Sequence, residues 1–177
     1  MRTLAIAAIL ILVLLLAPGL LSLYGLRLLT GVLMLAVVAQ GINAMAGFVG
    51  YPAFGNVVFF GVGAYGTALA VTSGHPLPVA LAFGALLAAL LALAIGPVLL
   101  RLRGHYFAIA TLGLNEVVSA LVANATSVTG GSIGLSLPLT GSTPAELGRF
   151  IYFSFVALFA VSILFGVFLR DSRFGYG

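Results

Sequence analysis

Few side chains in this chain can do chemistry, and most of those that can sit inside apolar runs. Glu116 is the only acidic residue between Arg27 and Glu146. At about 1.5 Å per residue it lies roughly 18 Å along a helix starting at Gly104, near the centre of a bilayer core of about 30 Å. Inserting a charged carboxylate there costs about 2.5–3.5 kcal/mol or more, so such residues are functional candidates by default. No basic residue of the chain is spaced to pair with it. It is therefore protonated, wetted by water or paired with another subunit, with Asn115 as its natural neighbour. A functional or assembly role is favoured over a lipid-facing accident. Asn43 lies late in an apolar run, where an unpartnered amide costs about 1–3 kcal/mol on mutational scales. It must bond something, either across to another helix or along a path through the membrane.

Between Gly47 and Gly66 the chain reads GFVGYPAFGNVVFFGVGAYG. Two readings stand side by side. One is a broken helix, whose freed backbone groups line a cavity, as in transporters. The other is a tight turn around Gly50 to Gly55, followed by a glycine-rich packing face.

Other chemistries are excluded by composition. All seven basic residues are Arg, and there is no Lys and no Cys. A P-loop and a Schiff-base enzyme each need a Lys, so nucleotide hydrolysis would fall to a partner. Thiolate nucleophiles, disulfides and sulfur-ligated metals go with the cysteines. His75 and His105 form no metal-ligand pair, and no H-E-x-x-H pattern occurs. No catalytic residue, metal or cofactor is assigned. The arginines sit singly or in pairs at the ends of apolar runs, a pattern of topology signals rather than of nucleic-acid binding.

The elements that position these residues follow from hydropathy. From Leu28 to Leu100 the chain runs 73 residues without Asp, Glu, Lys or Arg. Hydrophobic residues make up 63% of the 177, charged residues 6%, and mean hydropathy is +1.31. That composition belongs to an integral membrane protein, an all-α polytopic transmembrane helical bundle. Apolar runs predict about six spans, at 4–21, 28–46, 54–72, 77–100, 105–123 and 150–169. The first run resembles a signal peptide, but Pro18 and Gly19 replace a small-residue cleavage site, so it reads as a retained helix. A cytoplasmic N-terminus places Arg2, Arg101, Arg103, Arg170 and Arg173 inside and Arg27 and Arg149 outside, in accord with the positive-inside rule. Tyr24, Tyr106 and Tyr152 fall near span ends, where amphipathic rings favour the interface. In the fourth span Ala80, Gly84, Ala88, Ala92 and Gly96 repeat every four residues, a column against which another helix should lie. The polar stretch 124–141, NATSVTGGSIGLSLPLTG, falls outside, where it could cap helices or receive a docking protein.

Three ordered blocks resemble a known family. Asn43, Gly47, Gly50, Gly55, Phe59, Gly61, Gly63, Ala64 and Tyr65 match the signature of the branched-chain amino acid ABC-transporter permeases. LRGHYFAIATLGLNE, from Leu102 to Glu116, and TGGSIGL, from Thr129 to Leu135, are similar to two further blocks of that family. The last two point to the LivM-like rather than the LivH-like subunit. The chain departs from the pattern at Ala53, where members usually carry Ser, and at Asn56, often His. Members run to roughly 300 residues, so residues 1–177 resemble the amino-terminal portion of a single permease domain lacking the coupling loop and later spans. Asp171 to Gly175 looks like the run before that loop.

The resemblance implies one permease of an importer in a bacterial or archaeal plasma membrane. Its partners would be a second, LivH-like permease, two cytoplasmic ATP-binding subunits and an extracytoplasmic solute-binding protein, with membrane lipid around them. Cargo would be branched-chain amino acids or related small polar solutes. Asn43, Gly47, Gly50, Gly55, Tyr65, Asn115 and Glu116 are candidates for the path or its packing. Thr129, Gly130, Gly131, Arg170 and Arg173 are candidates for partner docking. A non-transporting assembly subunit and an ion-coupled carrier remain as alternatives.

Overall fold

In hydrocarbon no water is available for a free N–H or C=O, so a chain of this composition must close its backbone bonds within helices. A computed structural model describes residues 2–50, 53–137 and 143–171, and among them there are helices, turns and no strand. The main helices are α1 (Arg2–Leu20), α2 (Leu23–Asn43), α3 (Asn56–Thr72), α4 (Leu77–Leu99), α5 (His105–Asn124), the single-turn α6 (Thr126–Thr129) and α7 (Pro144–Asp171). A π-helical segment, Ala44–Val49, continues α2, and a 3-10 turn, Gly131–Ile133, follows α6. The class is polytopic α-helical. Four stretches are long and apolar enough to cross a membrane: Leu23–Gly47, Leu77–Leu99, His105–Asn124 and Pro144–Arg170. Ala7–Leu20 and Asn56–Thr72 are shorter apolar helices. All six apolar runs are thus helical.

The chain divides into two compact units, Met1–Gly50 with Leu139–Gly177, and Tyr51–Pro138. In the first, α1 and α2 pack on α7. Leu14, Ala17, Leu26, Leu33, Tyr152 and Val156 form its buried cluster. Tyr152 is 0% exposed and its hydroxyl donates to the Leu14 carbonyl at 2.6 Å. The reason lies in the sequence. Pro18 sits inside α1, four residues after Leu14, and has no N–H to give to that carbonyl. The phenol supplies the missing donor, so Tyr152 is not the interfacial ring its position near a span end predicts. Tyr24 and Tyr106, by contrast, are exposed.

Helices α2 and α7 lie side by side and run parallel. Near their starts, Arg27 and Thr30 share a recess with Pro144, Leu147, Gly148 and Ile151, and a Cβ on Gly148 would stand 3.5 Å from Leu23 Cδ1. Near their ends, Val37 to Ala44 face Ser162, Phe165 and Gly166. Helix α7 starts with a reciprocal cap. The Thr143 N–H donates to Glu146 Oε2 at 3.0 Å and the Glu146 N–H donates to Thr143 Oγ1 at 3.3 Å, so each satisfies a donor that the first turn leaves free.

In the second unit α3 and α4 form an antiparallel hairpin about the Ser73–Pro76 turn. The small-residue column meets α3, as its spacing predicts, over its first half. Ala80 is 0% exposed and Gly84 is buried, whereas Ala92 is exposed. A Cβ at Gly84 would overlap the Gly63 carbonyl and the Thr67 hydroxyl, and one at Gly66 would stand 3.1 Å from Gly84 Cα and 2.7 Å from Leu87 Cδ1. The two backbones touch because neither carries a side chain there.

Candidate functional site

Three local arrangements hold seven of the residues singled out by sequence, Asn43, Gly47, Gly50, Gly55, Thr129, Gly130 and Gly131. The first is at the end of α2. Gly50, with φ +74°, closes the π-helical segment by giving its N–H to the Met45 carbonyl. One turn earlier, Asn43 Oδ1 lies 3.0 Å from where a Gly47 Cβ would be. The four-residue spacing of these two thus has a physical cause: glycine leaves room for the carboxamide against the next turn. Asn43 is exposed. Its side chain has no hydrogen-bond partner among the described residues, so the expected bond to another helix is not formed among them. Asn43, Gln40, Ser162 and Gly166 line a recess of about 230 Å³, with Val37, Gly41, Ala44 and Phe165 completing its walls. Sequence reasoning missed Gln40 and Ser162. The detectable signal was a second carboxamide three residues before Asn43, on the same helix face.

The second arrangement joins two of the sequence blocks. Thr111, 2% exposed on α5, accepts the Phe54 N–H at 3.3 Å and donates to the Ala108 carbonyl at 2.9 Å. Gly55, the residue before α3, fits beneath it. A Cβ there would stand 3.2 Å from the Thr111 carbonyl oxygen. Ala53 and Phe107 are buried at the same junction. Helix α3 then runs unbroken from Asn56 to Thr72 through Gly61, Gly63 and Gly66. Within the described residues this agrees with the turn-and-packing-face reading of the glycine-rich stretch, the π-helical end of α2 being its irregular part. Tyr51 and Pro52 lie outside the described residues.

The third is a knot after α5. Thr129 Oγ1 lies 2.6 Å from the Val122 carbonyl and 2.9 Å from that of Ala125, which share its one proton, and it accepts the Gly131 N–H at 3.1 Å. Gly130, Gly131 and Gly134 have φ of +71°, +60° and +77°, a region L side chains rarely adopt. The T-G-G-x-x-G spacing is therefore a helix-ending device that covers carbonyls the end of α5 leaves free. Thr129 and Gly131 are buried in it, and what faces outward is Ser132 and Ile133.

The other candidates stand apart from these arrangements. Glu116 is exposed on α5, Asn115 and Tyr65 are half-buried, and none of the three has a side-chain hydrogen bond among the described residues. Arg170 is exposed in the last turn of α7. Arg173 lies outside the described residues. Among the described residues no cluster of three or more His, Cys, Asp or Glu could hold a metal ion. The signature from Asn43 to Tyr65 is split at Gly50–Tyr51 between the two compact units.

Comparison with known proteins adds the context. The profile of the family described as branched-chain amino acid transport system, permease component, matches residues 24–177. The chain is 38% identical over 101 residues to the high-affinity branched-chain amino acid transport system permease protein LivM of Escherichia coli (strain K12). It is 37% identical over 101 residues to the protein of the same name in Salmonella typhimurium. Each match covers 56% of this chain and 24% of the relative. No solved structure matches the chain significantly.

Proposed function

Because the chain belongs to the family of permease components of branched-chain amino acid transport systems, we infer that it forms part of the translocation path of an ABC importer in a bacterial or archaeal inner membrane. Its cargo is a branched-chain amino acid or a related small polar solute. ATP is hydrolysed on separate cytoplasmic subunits; residues 1–177 contain no Lys and therefore no P-loop. A second permease and an extracytoplasmic solute-binding protein complete the complex. The observation that carries this reading is the family match over 24–177, joined to the physical sense of the three blocks: each builds a turn or a close backbone approach between helices.

The parallel run of α2 and α7 supports α3 as a crossing, and with α1 counted as a span the crossings number six. Parallel helices in one bilayer are separated by an odd number of intervening crossings. Helices α3, α4 and α5 supply three, whereas α4 and α5 alone would make α2 and α7 antiparallel. Helix α3 has 17 residues, about 26 Å, at the lower limit for a span. With the N-terminus inside, Arg101 and Arg103 fall on the cytoplasmic side and Arg27 and Arg149 outside. Both compact units then belong to one permease domain.

Glu116 tests the functional reading. In the assembled transporter, Glu116→Gln is expected to lower solute uptake at least tenfold while the complex still assembles, because the amide neither ionises nor pairs with a cation. Unchanged uptake with unchanged assembly removes Glu116 from the path. Uptake of labelled leucine, isoleucine and valine into proteoliposomes, with and without ATP, tests the inference as a whole. Uptake that continues without ATP but collapses with the proton gradient contradicts it in favour of an ion-coupled carrier. A chain that co-purifies with neither an ATPase nor a binding protein contradicts it in favour of an assembly subunit.

A further inference from the structure

The recess at the end of α2 contains more polar chemistry than packing requires. Gln40 and Asn43 are three residues apart and so share one face of α2. Both residues line the space and neither carboxamide has a hydrogen-bond partner among the described residues. Each offers two donor hydrogens and an acceptor oxygen. Ser162, opposite on α7, gives its proton to the Phe159 carbonyl at 2.8 Å, which leaves its lone pairs as acceptors. Gly166 keeps the wall open beside Gln40, whose Nε2 is 3.7 Å from where a Cβ would stand. The backbone beneath is the π-helical segment that begins at Ala44, and such wide turns occur frequently at functional sites. Among the described residues no charged side chain lines the recess, which favours a ligand without net charge.

We propose that this recess, formed by Gln40, Asn43 and Ser162, is a binding station for a small zwitterionic amino acid, with Gln40 and Ser162 as specificity-determining residues. The two carboxamide oxygens and the Ser162 lone pairs accept from the ammonium group. The carboxamide N–H groups donate to the carboxylate. Val37, Ala44 and Phe165 flank the aliphatic side chain. A volume of about 230 Å³ accommodates one small molecule and falls below the several hundred Å³ of a drug-sized site. The site rests on the transport reading above, which supplies the class of solute, while the recess itself rests on geometry alone.

The chain has no cysteine, so Ser162→Cys places a unique reporter in the recess. In the assembled transporter, in nanodiscs made with cysteine-free partner subunits, this thiol is expected to react with a small water-soluble methanethiosulfonate reagent. Saturating leucine is expected to slow that reaction at least fivefold, and choline, a cation of similar size, is expected to leave it unchanged. Gln40→Leu is expected to lower leucine uptake roughly tenfold, the loss of one or two hydrogen bonds to charged groups, while ATP hydrolysis by the complex persists. Labelling that leucine does not alter, in a complex whose wild type transports leucine, overturns the proposal. A thiol that reacts in the isolated chain but not in the complex also overturns it, since a partner helix then fills the recess. If the wild-type complex moves no amino acid, the transport reading fails, and protection of the thiol by leucine still decides whether the recess binds one.

Discussion

Gly84→Leu is expected to separate α3 from α4. A Cβ at this position would overlap both the Gly63 carbonyl and the Thr67 hydroxyl, and the Thr67 backbone nitrogen stands at 3.0 Å. Two of these obstacles are main-chain atoms of a regular helix and cannot rotate away. Overpacking a core typically costs about 1–3 kcal/mol, and a branched side chain against backbone falls at or above the top of that range. In lipid the loss weighs more, because helices there associate by close packing and hydrogen bonds rather than by expulsion of water. A loss of ~3 kcal/mol corresponds to a fall in melting temperature of roughly 6–12 °C for a domain of this size. Thermal unfolding in detergent, followed by size-exclusion recovery, measures it. Gly61→Ala is the control, since a Cβ there meets nothing within 4 Å, and it is expected to leave stability unchanged. Equal effects of the two substitutions would contradict the packing described for the hairpin.

Tyr152→Phe is the second large effect. It removes only a hydroxyl, yet that hydroxyl is the donor to the Leu14 carbonyl at 2.6 Å, which Pro18 leaves without its helical partner. A buried acceptor left unsatisfied costs about 1–3 kcal/mol, and the site is closed to water, with Tyr152 fully buried and Leu14 nearly so. The origin of the cost can be separated from simple loss of contact. Pro18→Ala restores an N–H four residues after Leu14, so Tyr152→Phe in that background is expected to cost less than ~1 kcal/mol. The interaction term of the double-mutant cycle then isolates the bond. If Tyr152→Phe costs the same with and without Pro18, the phenol is not standing in for the missing donor.

These two cases also mark what the amino-acid pattern revealed and what it did not. The Ala80–Gly84–Ala88 column announces a helix neighbour because four-residue spacing of small residues has one geometric consequence, a surface on which backbones touch. The identity of the neighbour, α3, follows from the short Ser73–Pro76 turn. Tyr152 misleads because its distance from a span end is a one-dimensional quantity, whereas its partner lies 138 positions away. The proline at position 18 was visible, but nothing along the chain says which side chain answers it. Helix α2 begins at Leu23 rather than near 28 because Arg27, read as a flank, is carried inside the helix. Thr143 and Glu146 form a three-residue capping spacing that could have fixed the start of α7.

The candidate site was legible in part, for similar reasons. Gly47 and Gly55 occupy the places where a Cβ would press on Asn43 and Thr111, so the glycines of the signature are explained by contacts that spacing alone only hints at. The stretch holding Thr129 and its glycines reads from sequence as a helix cap or a docking loop, and the described residues form the cap. The structure turns most of their chemistry inward, onto carbonyls at the end of α5, and leaves Ile133 exposed beside them. Gln40 carries no signal of its own along the chain, where it is one amide in an apolar run, and it lines a recess only because α7 packs beside α2.

In the proposed topology this chain threads a bilayer six times from a cytoplasmic start, with α3 as a full crossing. Single cysteines at Phe54, His75, His105 and Ser132, all exposed positions in a chain without native cysteine, report the side on which each loop lies. Labelling with an impermeant maleimide before and after permeabilisation is expected to find His75→Cys and Ser132→Cys outside and Phe54→Cys and His105→Cys inside. Labelling of Phe54→Cys and His75→Cys from the same side would contradict it, because α3 would then not cross.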